Sequence, residues 1–465
     1  MKKRKKLLIP IVGMLASMAI FTGSVLADTT PTQPQTNAPV VAQQDQYREN
    51  LAYSIGIQAY IYGYPLLETE KTMQLYLKDG QLNTFDHVRE LRDDTFRTVV
   101  APNNDTLYSR AFLDLSKGPV VLSVPKIENR YYSFQFLDAY TNSFNFVGTR
   151  TTGSKAGKYV IVGPNWKGKL AKGSKVIQSP TNMVWLLGRT LVDGGKDLEN
   201  VHAIQDKYTL TPLDKNQAKP SIELPVISPS DFNDPALFFE IMTQAMKLNP
   251  APPVDAAMLS QFKLIGIEPD KGFQGSKDPA IMAGLTRAIK DAQEIIVKTV
   301  PKLGTTNNNW KVYYDIGTYG TDYLTRACIA KVGLGAVIPE EAIYPRTTFD
   351  SDGNPLSGEN QYVIDFDKDQ LPPVNAFWSL SLYGSNQFFA ANPINRFSIG
   401  DRTEGLTYNP DGSLDIYIQN TAPVGKESNW LPAPKDNFVL VLRMYLPKQN
   451  ALDGTYQLPK VRKVN

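Results

Sequence analysis

Tyr131-Tyr132-Ser133-Phe134-Gln135-Phe136 alternates large aromatic residues with small or polar ones. In an extended chain successive side chains point to opposite faces, so Tyr132, Phe134 and Phe136 share one face and Ser133 and Gln135 the other. The stretch reads as a half-buried strand, and the same period of two governs the surrounding sequence from about Thr95. Val120-Val121-Leu122-Ser123-Val124, Tyr159-Val160-Ile161-Val162 and the run from Ile177 to Val192, which holds Trp185 and Arg189, are further strands bounded by Gly, Pro and Asn turns. Many short strands with regular turns predict a sandwich or jelly roll.

On either side the period changes. A helix is predicted from about Asp45 to Leu77, with Leu51, Ile55 and Tyr62 at helical spacing and Pro65 predicting a kink or break near Tyr64. In the middle of the chain, Asp234-Pro235 and Asp278-Pro279 each set an N-cap residue before a proline at the first helical position. They open helices over Leu237 to Met246 and Ile281 to Val300, and a third helix is predicted from Tyr323 to about Leu334. Strands return from Thr347, at Tyr362 to Phe366, Ala376 to Tyr383, Leu414 to Ile418 and Phe438 to Tyr445. Asn409-Pro410-Asp411-Gly412-Ser413 is a tight turn that predicts a hairpin. The order β, then α, then β, without βαβ alternation, argues against a parallel Rossmann-like sheet.

The first residues read as an export signal. Lys2-Lys3-Arg4-Lys5-Lys6 precedes an apolar run from Leu7 to about Phe21, and Val25 and Ala27 set small residues before a cut after Ala27. The run is shorter than the roughly 20 residues that span a bilayer, so the mature chain is expected to be secreted or extracytoplasmic, without a transmembrane segment. Losing these five basic residues takes the formal charge of the 465-residue chain from +3 to −2. Nothing in the nearly neutral mature chain supports a nucleic-acid footprint, and no Lys/Arg block outside the signal is long enough to suggest a membrane-surface patch. Residues 28–44, rich in Pro, Thr and Gln, read as a disordered linker. Cys328 is the only cysteine, so no internal disulfide forms, and its apolar surroundings in sequence suggest a buried thiol.

The common catalytic motifs are missing: Gly-x-Ser-x-Gly, His-Glu-x-x-His and a phosphate loop. His87 and His202 are the only histidines, which excludes a His-rich metal site within one chain. His87 falls in a polar loop and His202 near a helix start, and neither specifies a nucleophile. Ser260-Gln261-Phe262-Lys263 lacks the partner motifs that would give Ser-x-x-Lys meaning. Asp350-Ser351-Asp352-Gly353-Asn354 has oxygens at alternate positions, but Pro355 follows and a polar turn is the better reading. Pro102-Asn103-Asn104-Asp105-Thr106 either closes Asx-turns on its own backbone or lines a pocket next to Tyr108. Arg150, Arg189, Arg326 and Arg396 sit among apolar or aromatic residues, where a guanidinium needs a carboxylate or a ligand anion. Asp138, Asp322 and Asp365 are the expected partners.

Several stretches resemble the family known as domain of unknown function 1254: Tyr62-Gly63-Tyr64-Pro65-Leu66, Val100 to Tyr108, Arg130-Tyr131-Tyr132-Ser133, Gly163-Pro164-Asn165-Trp166 and Trp185 to Arg189. Asn375-Ala376-Phe377-Trp378-Ser379, Asn395 to Ile399 and Asn429 to Pro434 resemble its usual partner, domain of unknown function 1214. The resemblance implies a bacterial exported protein with a multidomain α and β fold: two jelly-roll-like antiparallel β-sandwich domains joined by a helical domain. The expected boundaries are signal 1–27, linker 28–44, helix plus sandwich 45–195, mainly helical 196–340 and second sandwich 341–465. It implies no activity.

Ligand sites favour domain interfaces with aromatic walls and a few convergent polar groups. The expected function is therefore an enzyme, hydrolase-like, acting on a small polar or aromatic compound in an interdomain cleft. Asp105 is the candidate general base, and Asn103, Asn104, Tyr108, Arg150, Tyr323, Arg326, Trp378 and Arg396 are the candidate lining. The rival reading is a non-catalytic envelope protein that binds a carbohydrate or protein partner. No metal site and no cofactor is assigned, and the oligomeric state is not readable.

Overall fold

Four sheets stacked as two pairs explain the alternation along the strands. The computed structural model describes residues 38–464, so the expected signal, and the linker as far as Asn37, lie outside the described residues. The first pair joins a five-stranded antiparallel sheet to a four-stranded one. The larger runs in the order Asp86–His87, Thr106–Asp114, Met183–Leu191, Tyr132–Asp138, Ser143–Gly148. The smaller runs Lys175–Gln178, Gly157–Val162, Val120–Val124, Thr209–Pro212. One core, with Ala111, Phe134, Phe136 and Leu186 from the first and Val120, Leu122 and Ile161 from the second, fills the space between them. Tyr132, Phe134 and Phe136 all point into it, as the period of two requires.

The second pair repeats the arrangement. A seven-stranded sheet is built around Val374–Gly384 and Phe438–Pro447, and a four-stranded sheet runs Trp430–Pro432, Leu414–Gln419, Gln361–Phe366, Val461–Val464. Trp378, Leu380, Leu382, Leu440, Leu442 and Met444 face Tyr362, Ile364, Phe366, Leu414 and Ile416 across a second core. Two pairings are parallel, Gly157–Val162 with Lys175–Gln178 and Leu414–Gln419 with Trp430–Pro432; the other strand pairs are antiparallel. The turn at Asn409–Ser413 closes, with the Asn409 amide donating to the Ser413 carbonyl, but no hairpin follows. Leu414–Gln419 pairs instead with the distant Gln361–Phe366, because that places its apolar face on the core.

Seven α-helices lie among the described residues. The long helix Ala38–Leu77 begins before the expected Asp45 and runs unbroken through Pro65. From Ala59 to Leu67 it is buried on every side, so packing overrides the hydrogen bond that proline removes. Its neighbours are mainly the helices Pro235–Leu248, Pro279–Thr299 and Tyr323–Gly333, with which it shares the largest core. Asp234 and Asp278 cap as their sequence predicts, each accepting two amides of the turn that follows. Asp45–Asn465 form one compact unit. No described helix is long and apolar enough to cross a membrane.

Candidate functional site

The two large sheets meet through their outward faces, and that layer is polar. On Met183–Leu191, Arg189 lies opposite Tyr108 on one neighbour and Ser133 on the other. Residues paired in this way point to the same side. On the other sheet, Ser379, Ser381 and Tyr383 alternate with the core residues Trp378, Leu380 and Leu382, and Arg443 and Tyr445 alternate with Leu442 and Met444. A mixed cluster of Tyr131, Leu191, Phe377 and Tyr445 closes part of the interface.

Within this layer the loop Ala101–Asp105 is clamped to the second sheet. The Asn103 carboxamide oxygen accepts the amides of Asp105 and Thr106 at 2.7 and 3.1 Å, the Asx-turn its sequence suggests. Its Nδ2 also donates to the Tyr445 hydroxyl at 2.6 Å, so the same side chain closes the turn and ties the loop to the second sheet. The Arg443 Nη2 donates to the carbonyls of Ala101 and Pro102 and to the Tyr383 hydroxyl. Ala101 takes a positive φ of 49°, a conformation unusual for a residue with a side chain, and these bonds hold it there.

Asp105, the expected base, is buried with both oxygens engaged. Oδ2 accepts from the Ser379 hydroxyl at 2.6 Å and Oδ1 from the Arg402 Nη2 at 2.9 Å. The Arg402 guanidinium lies 4.3 Å from the Phe377 ring centroid and also donates to the Val192 carbonyl. Arg150 is likewise paired, its Nε 2.8 Å from Glu341 Oε2, while the Tyr131 hydroxyl donates to Oε1 of the same carboxylate at 2.7 Å.

Arg189 differs from these. It is 6% exposed, and its one hydrogen bond to a described residue runs from Nη1 to Gln135 Oε1 at 3.0 Å. Its Nε has no partner among the described residues, and it forms no salt bridge with a described carboxylate. The side chain lies over the Tyr108 ring at 5.2 Å. Burial works against its charge, but an arginine keeps its proton at neutral pH, so a buried cation sits among the tyrosines. Burial also pushes the phenols of Tyr131, Tyr344 and Tyr445 above their ordinary range, so they are neutral donors at physiological pH. Asn104 Oδ1 and Thr106 Oγ1, from the loop and strand bordering this layer, are also buried without partners among the described residues.

The remaining candidates lie elsewhere. Trp378 points into the second core, against Phe366, because its strand neighbour Phe377 takes the interface side; it does not line the cleft. Arg396 is spent on the carbonyls of Glu427, Ser428 and Trp430 and anchors a loop. Tyr323 and Arg326 belong to the helical body. Tyr323 donates to Asp255 at 2.5 Å, and the fully buried Arg326 sits among the rings of Tyr62, Tyr140 and Tyr323. Tyr323 also borders a cavity of about 550 Å³ lined by Ile55, Met258 and Phe262.

The expected ion pairs are not the observed ones. Asp138 binds its own turn, Asp322 caps a helix and Asp365 pairs with Arg462. His87 sits in a short strand paired with Ser109 and Arg110 rather than in a loop. Asp350 closes its turn by accepting the amides of Asp352 and Asn354. Arg443, Tyr445, Tyr344 and Glu341 were not foreseen as site residues. An arginine and a tyrosine alternating with Leu442 and Met444 in an otherwise apolar strand were the available signal.

Residues 82–212 match a family described as "Protein of unknown function (DUF1254)", and residues 341–449 match "Protein of unknown function (DUF1214)". The chain pairs a DUF1254 domain with a DUF1214 domain. The polar layer is where they meet: Asn103, Asp105, Tyr108 and Arg189 come from the DUF1254 region, and Ser379, Arg402, Arg443 and Tyr445 from the DUF1214 region. The VPA0106 protein from Vibrio parahaemolyticus, known from a crystal structure, is similar at 26% identity, with 89% of this chain and 100% of that one aligned and a TM-score of 0.71. A putative uncharacterized protein from Burkholderia cenocepacia aligns over 92% of this chain and 99% of that one at 13% identity, with a TM-score of 0.45. No curated protein matches.

Proposed function

We propose that this DUF1254–DUF1214 protein binds a small polar or aromatic compound in the layer between its two large sheets. The observation that carries the reading is Arg189, a buried cation with an unpartnered Nε and no described carboxylate beside it. Leaving a buried charge uncompensated costs several kcal/mol, which a ligand would offset. The half-buried Tyr108 and Tyr344, both close to the guanidinium, would supply aromatic surface for such a compound. The leader-like residues 1–27 support an exported location, and the pairing of each large sheet with a four-stranded one supports reading each β unit as jelly-roll-like.

A hydrolase-like activity at this site would not use Asp105 as its base without breaking the Ser379 and Arg402 bonds. We read Asp105 as a positioning residue that ties the two domains together. The scaffold alternative calls for an exposed aromatic row on one sheet face, whereas among the described residues the most exposed aromatics are Tyr47, on the long helix, and Phe349 and Tyr408, outside the strands of the sheets.

The test is a thermal-shift and turnover screen of the intact protein against aromatic acids, esters, amides and glycosides, with Arg189→Gln and Asp105→Asn. A ligand at 100 times its Kd stabilises by about 2.7 kcal/mol, a shift of a few degrees for a protein of this size. Arg189→Gln should abolish that shift, and Asp105→Asn should lower the melting temperature while leaving any turnover per folded molecule within severalfold. If no compound raises the transition and Arg189→Gln is simply more stable, the cation is a structural cost and the site reading falls.

A further inference from the structure

The way Arg189 is held restricts what its ligand can be. Gln135 is fully buried, and its Nε2 donates to the Ser143 hydroxyl and the Ala336 carbonyl, both at 2.8 Å. Those two bonds fix the amide so that Oε1 faces Arg189 Nη1. With Nη1 engaged and the Tyr108 ring beside the guanidinium, the group is oriented before any ligand arrives. What remains is the Nε–Nη2 edge, on which Nε is buried and unpartnered and Nη2 makes no hydrogen bond to a described residue. Two parallel N–H donors on one edge of a guanidinium match the two oxygens of a carboxylate.

The other arginines of the layer already have partners. Arg402 is neutralised by Asp105 and Arg150 by Glu341. Arg443 carries no carboxylate, but its Nε and Nη2 are taken by Ser381, Ala101, Pro102 and Tyr383. Arg189 and Arg443 thus both lack a carboxylate among the described residues. The unpartnered edge, however, is the Nε–Nη2 edge of Arg189, and its planar two-donor shape matches a carboxylate better than a tetrahedral phosphate.

Building on the binding reading above, we infer that the ligand is an aromatic carboxylate, its two oxygens on the Nε–Nη2 edge of Arg189 and its ring between Tyr108 and Tyr344. The carboxylate offsets the charge of Arg189, and the tyrosine rings supply a surface for its flat body.

Isothermal titration of the intact chain with benzoate, benzamide and phenyl phosphate tests this, using wild-type protein and Arg189→Lys. Benzoate should bind at least tenfold more tightly than benzamide, and Arg189→Lys, which keeps the charge but cannot form the fork, should weaken benzoate at least tenfold. The ¹⁵N–¹H signal of Arg189 Nε in unsubstituted protein should shift on adding benzoate, a readout that holds even if the variant folds poorly. Equal binding of benzamide, or an unmoved Arg189 signal, overturns the carboxylate inference and leaves the binding reading standing. Tighter binding of phenyl phosphate overturns the choice of anion. Failure of all three probes together with failure of the wider screen removes the site reading itself.

Discussion

Glu70 lies on the long helix Ala38–Leu77 with no exposed surface, one oxygen 3.4 Å from Asn249 Nδ2 and the other without a described partner. Burial alone pushes its carboxyl up from 4.5 to about 8. At neutral pH the folded protein keeps the proton while the unfolded chain releases it. The native state therefore binds more protons, and stability falls as pH rises from 4.5 through about 8, then levels off. At about 1.4 kcal/mol per pH unit, the interval between those two values amounts to a loss on the order of 4 kcal/mol. Glu70→Gln keeps an acceptor for Asn249 and removes the ionisation. Any cost of its unpaired amide hydrogens is constant with pH. Urea unfolding of both proteins from pH 4.5 to 8.5 should show the variant equal or slightly less stable at the acid end and more stable by several kcal/mol at the alkaline end. A difference that stays flat across that range would mean that Glu70 is already ionised in the folded state, through a charge or water the packing does not show.

Two further outcomes are expected. The His87 imidazole, beside Ser109 with Nδ1 2.8 Å from its hydroxyl, has its pKa lowered to about 4, chiefly by burial and then by Arg89. Its NMR signal should stay that of a neutral ring at pH 5.5, with His87 making stability fall as pH drops from about 6.5 to 4; a midpoint near 6.5 would contradict the burial. Gly284 meets the N-terminal helix so closely that a Cβ there would lie 2.2 Å from the Glu49 carbonyl oxygen. Gly284→Ala should lower stability by about 1–3 kcal/mol despite the roughly 1 kcal/mol that alanine adds to a helix, and a rise in melting temperature would show that the helices are not in contact there.

The placement of the polar layer between the DUF1254 and DUF1214 regions gives the pairing of these two domains a physical meaning. Neither region alone surrounds Arg189. Gln135, Tyr108 and Tyr131 belong to the first, while Tyr344 and Tyr445 reach it from the second. Separating the domains would expose Asp105, Arg443 and Tyr445 with half their partners missing.

Local signals determined a good deal by themselves. The period of two placed Tyr132, Phe134 and Phe136 on one face, and the Asp-Pro pairs placed the starts of two central helices, because alternation and capping depend on neighbours a few residues away. The arginines set in apolar stretches were visible too. Tertiary structure alone decided which face of each strand meets which partner. Trp378 and Phe377 are adjacent and equally aromatic, yet one fills a core and the other the interface. It also decided that Asp105 answers to Ser379, 274 residues away, and that Arg189 is left without a carboxylate. Contacts across such separations are set by how sheets stack, and stacking follows from the summed burial of whole faces rather than from any local pattern.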